Sequence, residues 1–361
     1  LPKGITLGIG CSTFPVWNSV PGIYASLMCG SAVIHKPHPS ATLPIVLWIT
    51  ELQKVLKESG ADPSLIQLAV DDPDEPIAIS LAEHAHIKLI DYTGGSEFGS
   101  YLESLPGKTV FTEKSGVNSV IIESVEDLNE VTQNISFSAS LFGGQMCTAP
   151  QNIFIPEDGI STNEGHISYA AFRDNLVANL KGLASHPKMG PPTLSAIGST
   201  ATFDRVQIAK KTGKAILTSD KVDNQEFQHV RNCSVTVLEL TTDDAELYEQ
   251  EWFGPIICLI KTRNTRDSVS IAKKLAKSFG AISCAAYSTD EEVKRFICGE
   301  MEEAFVQVSL NFTGPIWVNQ SAAFSDFHVS GGNPAGNASF SDVAFIGRRF
   351  VWIGHRELMG K

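Results

Sequence analysis

The sequence lacks the marks of several protein classes. It contains no C-x-x-C pair, and its seven cysteines, Cys11, Cys29, Cys147, Cys233, Cys258, Cys284 and Cys298, are odd in number and widely spaced. This excludes a disulfide framework, a zinc ribbon and a thioredoxin-type redox pair. The nine histidines show no metal-ligand pattern, so no metal is expected. No apolar run approaches the ~18 residues of a membrane helix, and no charged-then-apolar leader precedes the first strand-like segment. Basic residues are few, 28 Lys and Arg against 40 Asp and Glu for a net charge of −12. Nucleic acid is therefore not the expected partner, since phosphate binding needs clustered Lys and Arg. There is no Met at position 1. The chain opens Leu1-Pro2-Lys3-Gly4, and the residues after Gly4 already read like the inside of a domain.

The 361 residues are 43% hydrophobic and 19% charged, an ordinary soluble composition with material for a large core. At roughly 150 residues per domain this length predicts two or three domains. Thiols without a disulfide pattern point to a reducing cytosol.

Short apolar runs, Ile5-Gly10, Ala32-Lys36, Leu65-Val70 and Ile87-Thr93, read as strands. Helix-like stretches lie between them, Gly22-Cys29, Leu43-Glu58 and Ile77-His84. This order predicts an α/β fold with a parallel sheet, whose ligands bind at the carboxyl ends of the strands. The style continues from about Phe111 to Phe305. The Gly-, Asn-, Ser- and Phe-rich stretch from Asn311 to Phe340 reads as a long surface connection. A strand-like run, Phe350-Val351-Trp352-Ile353, comes after it.

Two glycine patterns fail as nucleotide fingerprints. Gly8-Ile9-Gly10 is followed by Thr13 where G-x-G-x-x-G needs glycine, and Gly94 and Gly99 have P-loop spacing but precede Ser100, not Lys. What survives is a Gly94-Gly95-Ser96-Glu97 turn opening a helix, either an anion site or a routine strand-to-helix turn. Cys147 lies in Phe142-Gly143-Gly144-Gln145-Met146-Cys147, just past a predicted helix. There Gly-Gly permits close backbone approach, and a loop thiol is available in a way a core thiol is not. Most cysteines are nevertheless small buried hydrophobes. Glu113 ends a strand beside an apolar run, where its carboxylate can act as a base; the competing reading is an exposed Glu paired with a neighbouring Lys. Asn18 sits in a loop bracketed by Pro15 and Pro21, from which its NH₂ could hold an oxyanion or its oxygen cap a helix.

Six segments in order resemble the aldehyde dehydrogenase superfamily: Phe14-Pro15-Val16-Trp17-Asn18, Ile34-His35-Lys36-Pro37, Tyr92-Thr93-Gly94-Gly95-Ser96-Glu97-Phe98-Gly99, Glu113-Lys114-Ser115-Gly116, Gly144-Gln145-Met146-Cys147 and Glu251-Trp252-Phe253-Gly254-Pro255. The stretch from Ile316 to Gly336 resembles a branch linked to phenylacetate breakdown. The resemblance implies NAD(P)-dependent oxidation of an aldehyde to an acid. Cys147 would be the nucleophile, passing through a thiohemiacetal and a thioester. Asn18 and the Cys147 N–H would hold the oxyanion, and Glu113 would activate the hydrolytic water. Lys36 would bind the adenosine ribose, the turn of Gly94, Gly95, Ser96 and Gly99 would lie by the pyrophosphate, and Glu251 with Phe253 would hold the nicotinamide ribose and ring. It further implies a homo-oligomer, a dimer or tetramer, paired through a closing strand.

Three departures qualify this. Relatives preferring NAD often carry Glu three residues after the Lys, whereas this sequence has Pro39 preceded by His38; that favours NADP, with His38 a partner for the 2′-phosphate. Lys114-Ser115 replaces the usual Leu-Gly after the base. The late family motif is blurred in Ser330-Gly331-Gly332-Asn333-Pro334. The segments are read as the end of an NAD(P)-binding domain at 1–112, a catalytic domain at 113–315, and a tail with an oligomerisation strand at 316–361. Family members carry more residues before Pro-Trp-Asn, so an N-terminal truncation is expected. Substrates considered are small aldehydes, including CoA-borne semialdehydes, with Phe137, Phe142, Trp252 and Phe312 as candidate tunnel residues. Alternative readings are a cofactor-independent cysteine thioesterase or esterase, and a non-catalytic subunit.

Overall fold

Alternating apolar runs and amphipathic stretches fold into two units, Leu1–Lys114 with Ala338–Lys361, and Ser115–Asn337. The computed structural model describes residues 1–323 and 328–357. Parts of the 316–361 tail and of the Ile316 to Gly336 stretch therefore lie outside the described residues.

The first unit runs β1 (Ile5–Ile9), α1 (Pro15–Met28), β2 (Val33–Lys36), α2 (Thr42–Glu58), β3 (Ile66–Leu68), α3 (Ala78–Glu83), β4 (Ile87–Thr93), α4 (Ser96–Ser104) and β5 (Thr109–Glu113). The sheet order is β3-β2-β1-β4-β5, with every pair parallel. Strand order reverses between β1 and β4, the switch point beside which such sheets bind ligands. One face buries Leu7, Ile87, Ile90 and Leu102; the other buries Ile23, Val33, Ile45, Ile49 and Ile66.

Two sequence expectations are corrected in this unit. Trp17 and Asn18 are not in a loop but in the first turn of α1. Phe14 turns the chain through a left-handed conformation (φ 48°), and Pro15 occupies the first helical position, where its missing N–H costs nothing. The run 350–353 is not a regular strand. It makes one antiparallel bridge, Phe350 with Pro2, and Val351 pairs with Leu1, while Trp352 remains 90% exposed. What fixes this end is Arg349. Fully buried, its guanidinium donates two bonds to Asp91, at 2.7 and 2.5 Å, and stacks on Phe111 and Phe345.

The second unit contains β6 (Ser119–Ile122), α5 (Leu128–Ser140), β7 (Asn152–Pro156), the hairpin β8 (Ile160–Thr162) and β9 (Gly165–Ile167), α6 (Tyr169–Ser185), α7 (Gly190–Leu194), α8 (Thr200–Lys210), β10 (Ala215–Leu217), β11 (Thr236–Thr241), α9 (Ala245–Tyr248), β12 (Ile256–Thr262), α10 (Thr265–Phe279), β13 (Ser283–Tyr287), α11 (Glu291–Glu302), β14 (Gln307–Leu310) and α12 (Val318–Ala323). Its seven strands are ordered β10-β11-β12-β7-β6-β13-β14, parallel except for β10. Asp127, Ser168, Asn264 and Asp290 cap α5, α6, α10 and α11 by accepting first-turn N–H groups. The stretch after Asn311 is not simply a surface connection. It includes α12, whose Val318, Asn319, Ala322 and Ala323 are buried, because the amide of Asn319 donates to Ser138 and its carbonyl accepts from Thr148.

Candidate active site

In the first unit the sequence-selected residues gather at the carboxyl ends of the parallel strands. Asn18 donates its amide to the Cys11 sulfur at 3.0 Å and to the Thr13 carbonyl at 3.1 Å. Burial, and then the charge of Glu113, push the Cys11 thiol up, so Glu113 lies within electrostatic range of this cluster. Glu113 itself, at the end of β5, is only 5% exposed. This corrects the alternative of an exposed Glu paired with a neighbouring Lys. Lys114 instead pairs with Glu103 at 2.9 Å, its stem filling the space a Cβ on Gly99 would need. The charge that replaces the family's usual Leu is thereby neutralised away from Glu113.

Lys36, at the end of β2, is buried and paired with Asp71 at 2.8 Å. His38 accepts the Ser40 N–H through Nδ1, and burial followed by Lys36 holds its pKa below the ordinary value. At neutral pH it is therefore a neutral ring, not a cation. Gly94 follows β4, where a Cβ would sit 2.4 Å from the Tyr92 hydroxyl; Gly95 caps α4 with open space where its Cβ would be, and Ser96 begins the helix. Asp71 is a polar neighbour of this group that the sequence did not single out.

In the second unit the thiol is presented by a constrained turn. After α5 the chain passes Phe142 (φ 55°), Gly143 (64°) and Gly144 (65°), all left-handed. Gln145 clamps this turn by donating to Phe142 and Ala196 and accepting from Gly198. Cys147 comes next, its carbonyl accepting from Asn118 at 2.7 Å. Asn118 also donates to Ala149 and accepts the N–H groups of Ile282 and Ser283, tying the cysteine loop to the start of β13. The sulfur packs on Ile282, Val329 and Ala335 and lies 3.5 Å from Nε2 of His328. Glu251 accepts the Gly116 N–H at 3.3 Å, and its charge opposes the lowering that burial imposes on Arg205, which bonds the Phe253 carbonyl. Phe253 is itself left-handed (φ 34°).

Sequence reasoning missed Asn118 and His328. A polar Asn inside the apolar run Val117–Ile122 was the available signal for the first; nothing in the sequence signalled the second. Among the tunnel candidates, Trp252 is core, 3% exposed with its indole N–H donated to Leu247. Phe137 stacks on Trp317 beside a cavity of about 510 Å³. Among the described residues no disulfide is formed and no helix is long and apolar enough to cross a membrane.

Comparison with known proteins finds relatives of this fold and sequence. A crystal structure described as an NAD-dependent aldehyde dehydrogenase from Burkholderia multivorans is 40% identical, with a TM-score of 0.94 over 97% of this chain and 63% of that one. A Thermus 1-pyrroline-5-carboxylate dehydrogenase with bound NAD shares the fold at 21% identity and a TM-score of 0.73, over 96% of this chain and 65% of that one. By sequence, a 1-pyrroline-5-carboxylate dehydrogenase of Bacillus thuringiensis (strain Al Hakam) is 26% identical over 74% of this chain and 52% of its own. The chain thus spans about half the length of the curated relatives it matches. The profile of the aldehyde dehydrogenase family matches residues 1–332, and the chain belongs to that family.

Proposed function

We propose that the protein oxidises an aldehyde to a carboxylic acid with NAD or NADP through a covalent intermediate on Cys147. The observation that carries this reading is the cysteine turn, in which three consecutive left-handed residues and the Asn118 clasp present one thiol after α5. The sulfur attacks the aldehyde carbon, giving a thiohemiacetal. Asn18 and the Cys147 N–H stabilise the oxyanion, Asn18 exchanging one of its two present bonds to do so. Fixed donors of this kind are worth about 3–4 kcal/mol each. Bound NAD(P) supplies the acceptor for the hydride that leaves this carbon. The thioester that remains on Cys147 is released by water activated at Glu113.

The residues present fit a dinucleotide. Lys36 and the turn of Gly94, Gly95, Ser96 and Gly99 stand at strand carboxyl ends flanking a switch point, and Gly95 leaves open space at the start of α4. Lys36 would hold the adenosine ribose, and Glu251 with Phe253 the nicotinamide ribose and ring. Pro39 removes a carboxylate that would repel a 2′-phosphate, which favours NADP with His38 as a partner; Asp71 acts in the opposite direction. Resemblance of the C-terminal stretch supports a semialdehyde of aromatic catabolism, phenylacetate included, free or borne on CoA, as substrate. We further propose a cytoplasmic homodimer, seven cysteines without a disulfide suiting a reducing compartment.

An aldehyde panel that includes CoA-linked semialdehydes, assayed with NAD and NADP in parallel, tests this. Reduced nicotinamide formed one-for-one with acid supports the reading. Free CoA and acid released from a CoA-linked semialdehyde, with the aldehyde group intact and no reduced nicotinamide, replace it with a thioesterase.

A further inference from the structure

The sulfur of Cys147 and Nε2 of His328 are 3.5 Å apart, although 181 residues separate them in the sequence. The tautomer of His328 is set by its other nitrogen. Nδ1 lies 3.3 Å from the carbonyl oxygen of Ala322 in α12. A carbonyl only accepts, so Nδ1 carries the hydrogen and Nε2 turns its lone pair toward the sulfur. The ring is 1% exposed. Asn319 anchors α12 to α5, and Asn333 bonds Ala281, Phe305 and Ala335.

We propose that His328 is a catalytic residue that accepts the Cys147 proton and so arms the thiol as a nucleophile. The inference rests on Cys147 being the nucleophile of the proposed reaction. The thiol proton passes to Nε2 and leaves the thiolate at rest; as the S–C bond to the aldehyde carbon then forms, the C=O π pair moves to oxygen. When the thioester is hydrolysed, the S–C bond breaks and the sulfur keeps the electron pair, which restores the thiolate. A neutral histidine beside a cysteine is a known route to a nucleophile at neutral pH, because the thiolate is the attacking form. Among the described residues of the second unit, the loop against which the cysteine turn packs at Gly144 carries the charged Glu251, which acts on Arg205. Glu113, assigned to water activation, is the other candidate acceptor of the proton, and the test separates the two.

The test reads the thiol itself, without aldehyde or nucleotide, so its outcome is independent of whether the protein oxidises aldehydes. Alkylation of the Cys147 peptide by iodoacetamide is followed by mass spectrometry across pH in the wild type, H328N, H328Q and E113Q. Asn at 328 keeps a donor for the Ala322 carbonyl but cannot take the proton. The expected result is a fall of about tenfold at pH ~6.5 in H328N and H328Q, closing as pH rises past about 8.5 where an ordinary thiol ionises unaided, with E113Q retaining the wild-type profile. Equal profiles in wild type and the His328 variants overturn the proposal, as does loss confined to E113Q. A second measurement needs no change at 328. The ultraviolet thiolate absorbance of the wild type minus that of C147S is expected to persist below pH ~7. Its disappearance around pH ~8.5 overturns the proposal.

Discussion

Gly144 and Gly254 meet so closely that a Cβ on Gly144 would stand 2.3 Å from the Gly254 carbonyl oxygen. Both have positive φ, 65° and 155°. The turn that presents Cys147 is thus pressed against the loop that carries Glu251 and Phe253, and no side chain fits between them. Substituting Gly144 by Ala combines a left-handed strain with an overpacked contact. A stability loss of roughly 2–5 kcal/mol in urea unfolding is expected, together with loss of activity. Gly182→Ala, in α6 with open space at its Cβ, serves as a neutral control.

Asn118 satisfies four backbone groups, the carbonyls of Cys147 and Ala149 and the N–H groups of Ile282 and Ser283. Asn118→Ala leaves them buried without that partner, a loss of about 2–4 kcal/mol. Asn118→Asp retains the two accepting bonds and loses the two donated to the cysteine loop. It is therefore expected to lower kcat more than it raises KM. Equal effects on both would argue against a role in placing Cys147.

Lys36 and Asp71 form a buried pair at 2.8 Å, and Asp71 is the carboxylate that opposes a 2′-phosphate in the proposed nucleotide site. Asp71→Asn removes that negative charge. The ratio of kcat/KM for NADP over NAD is expected to rise by about tenfold, one charge interaction in partly screened surroundings. A ratio that stays fixed or falls would remove Asp71 from nucleotide selection.

Burial, then the neighbouring Lys36, depress His35 from 6.5 to about 4. Its folded-state value lies below the unfolded one, so the unfolded chain binds the proton first. Stability is complete above pH 6.5 and is lost as pH falls from 6.5 toward about 4, a change of about 3 kcal/mol at most. His35→Gln, which cannot titrate, should flatten unfolding free energy across that window. An unchanged slope would mean the acid sensitivity resides elsewhere.

Much of this was legible in the sequence. β1 and β4 are short apolar runs with turn residues at their ends, and the helix-like stretch Leu43-Glu58 is α2. The start of α1 was hidden because Pro15 and Pro21 bracket Asn18 as they would a loop, whereas Pro15 in fact opens the helix and Pro21 lies within it. β14 was missed because its half-buried Gln307–Leu310 at the sheet edge has the weak apolar signal of an edge strand. Local surroundings marked Cys147 and Glu113 only as candidates, and their roles came from the resemblance of six ordered segments. Contacts between distant segments, His328 with Cys147 and Arg349 with Asp91, leave no local trace, and only folding brings them into view.

The most direct test of the central proposal is the acyl-enzyme itself. In E113Q, with water activation impaired, the protein is mixed with an aldehyde turned over by the wild type and with NAD(P), and its intact mass is measured. One acyl group per chain, on the Cys147 peptide and formed only when the nucleotide is present, is the expected result. Acylation without nucleotide, on another residue, or undiminished in C147A would contradict it.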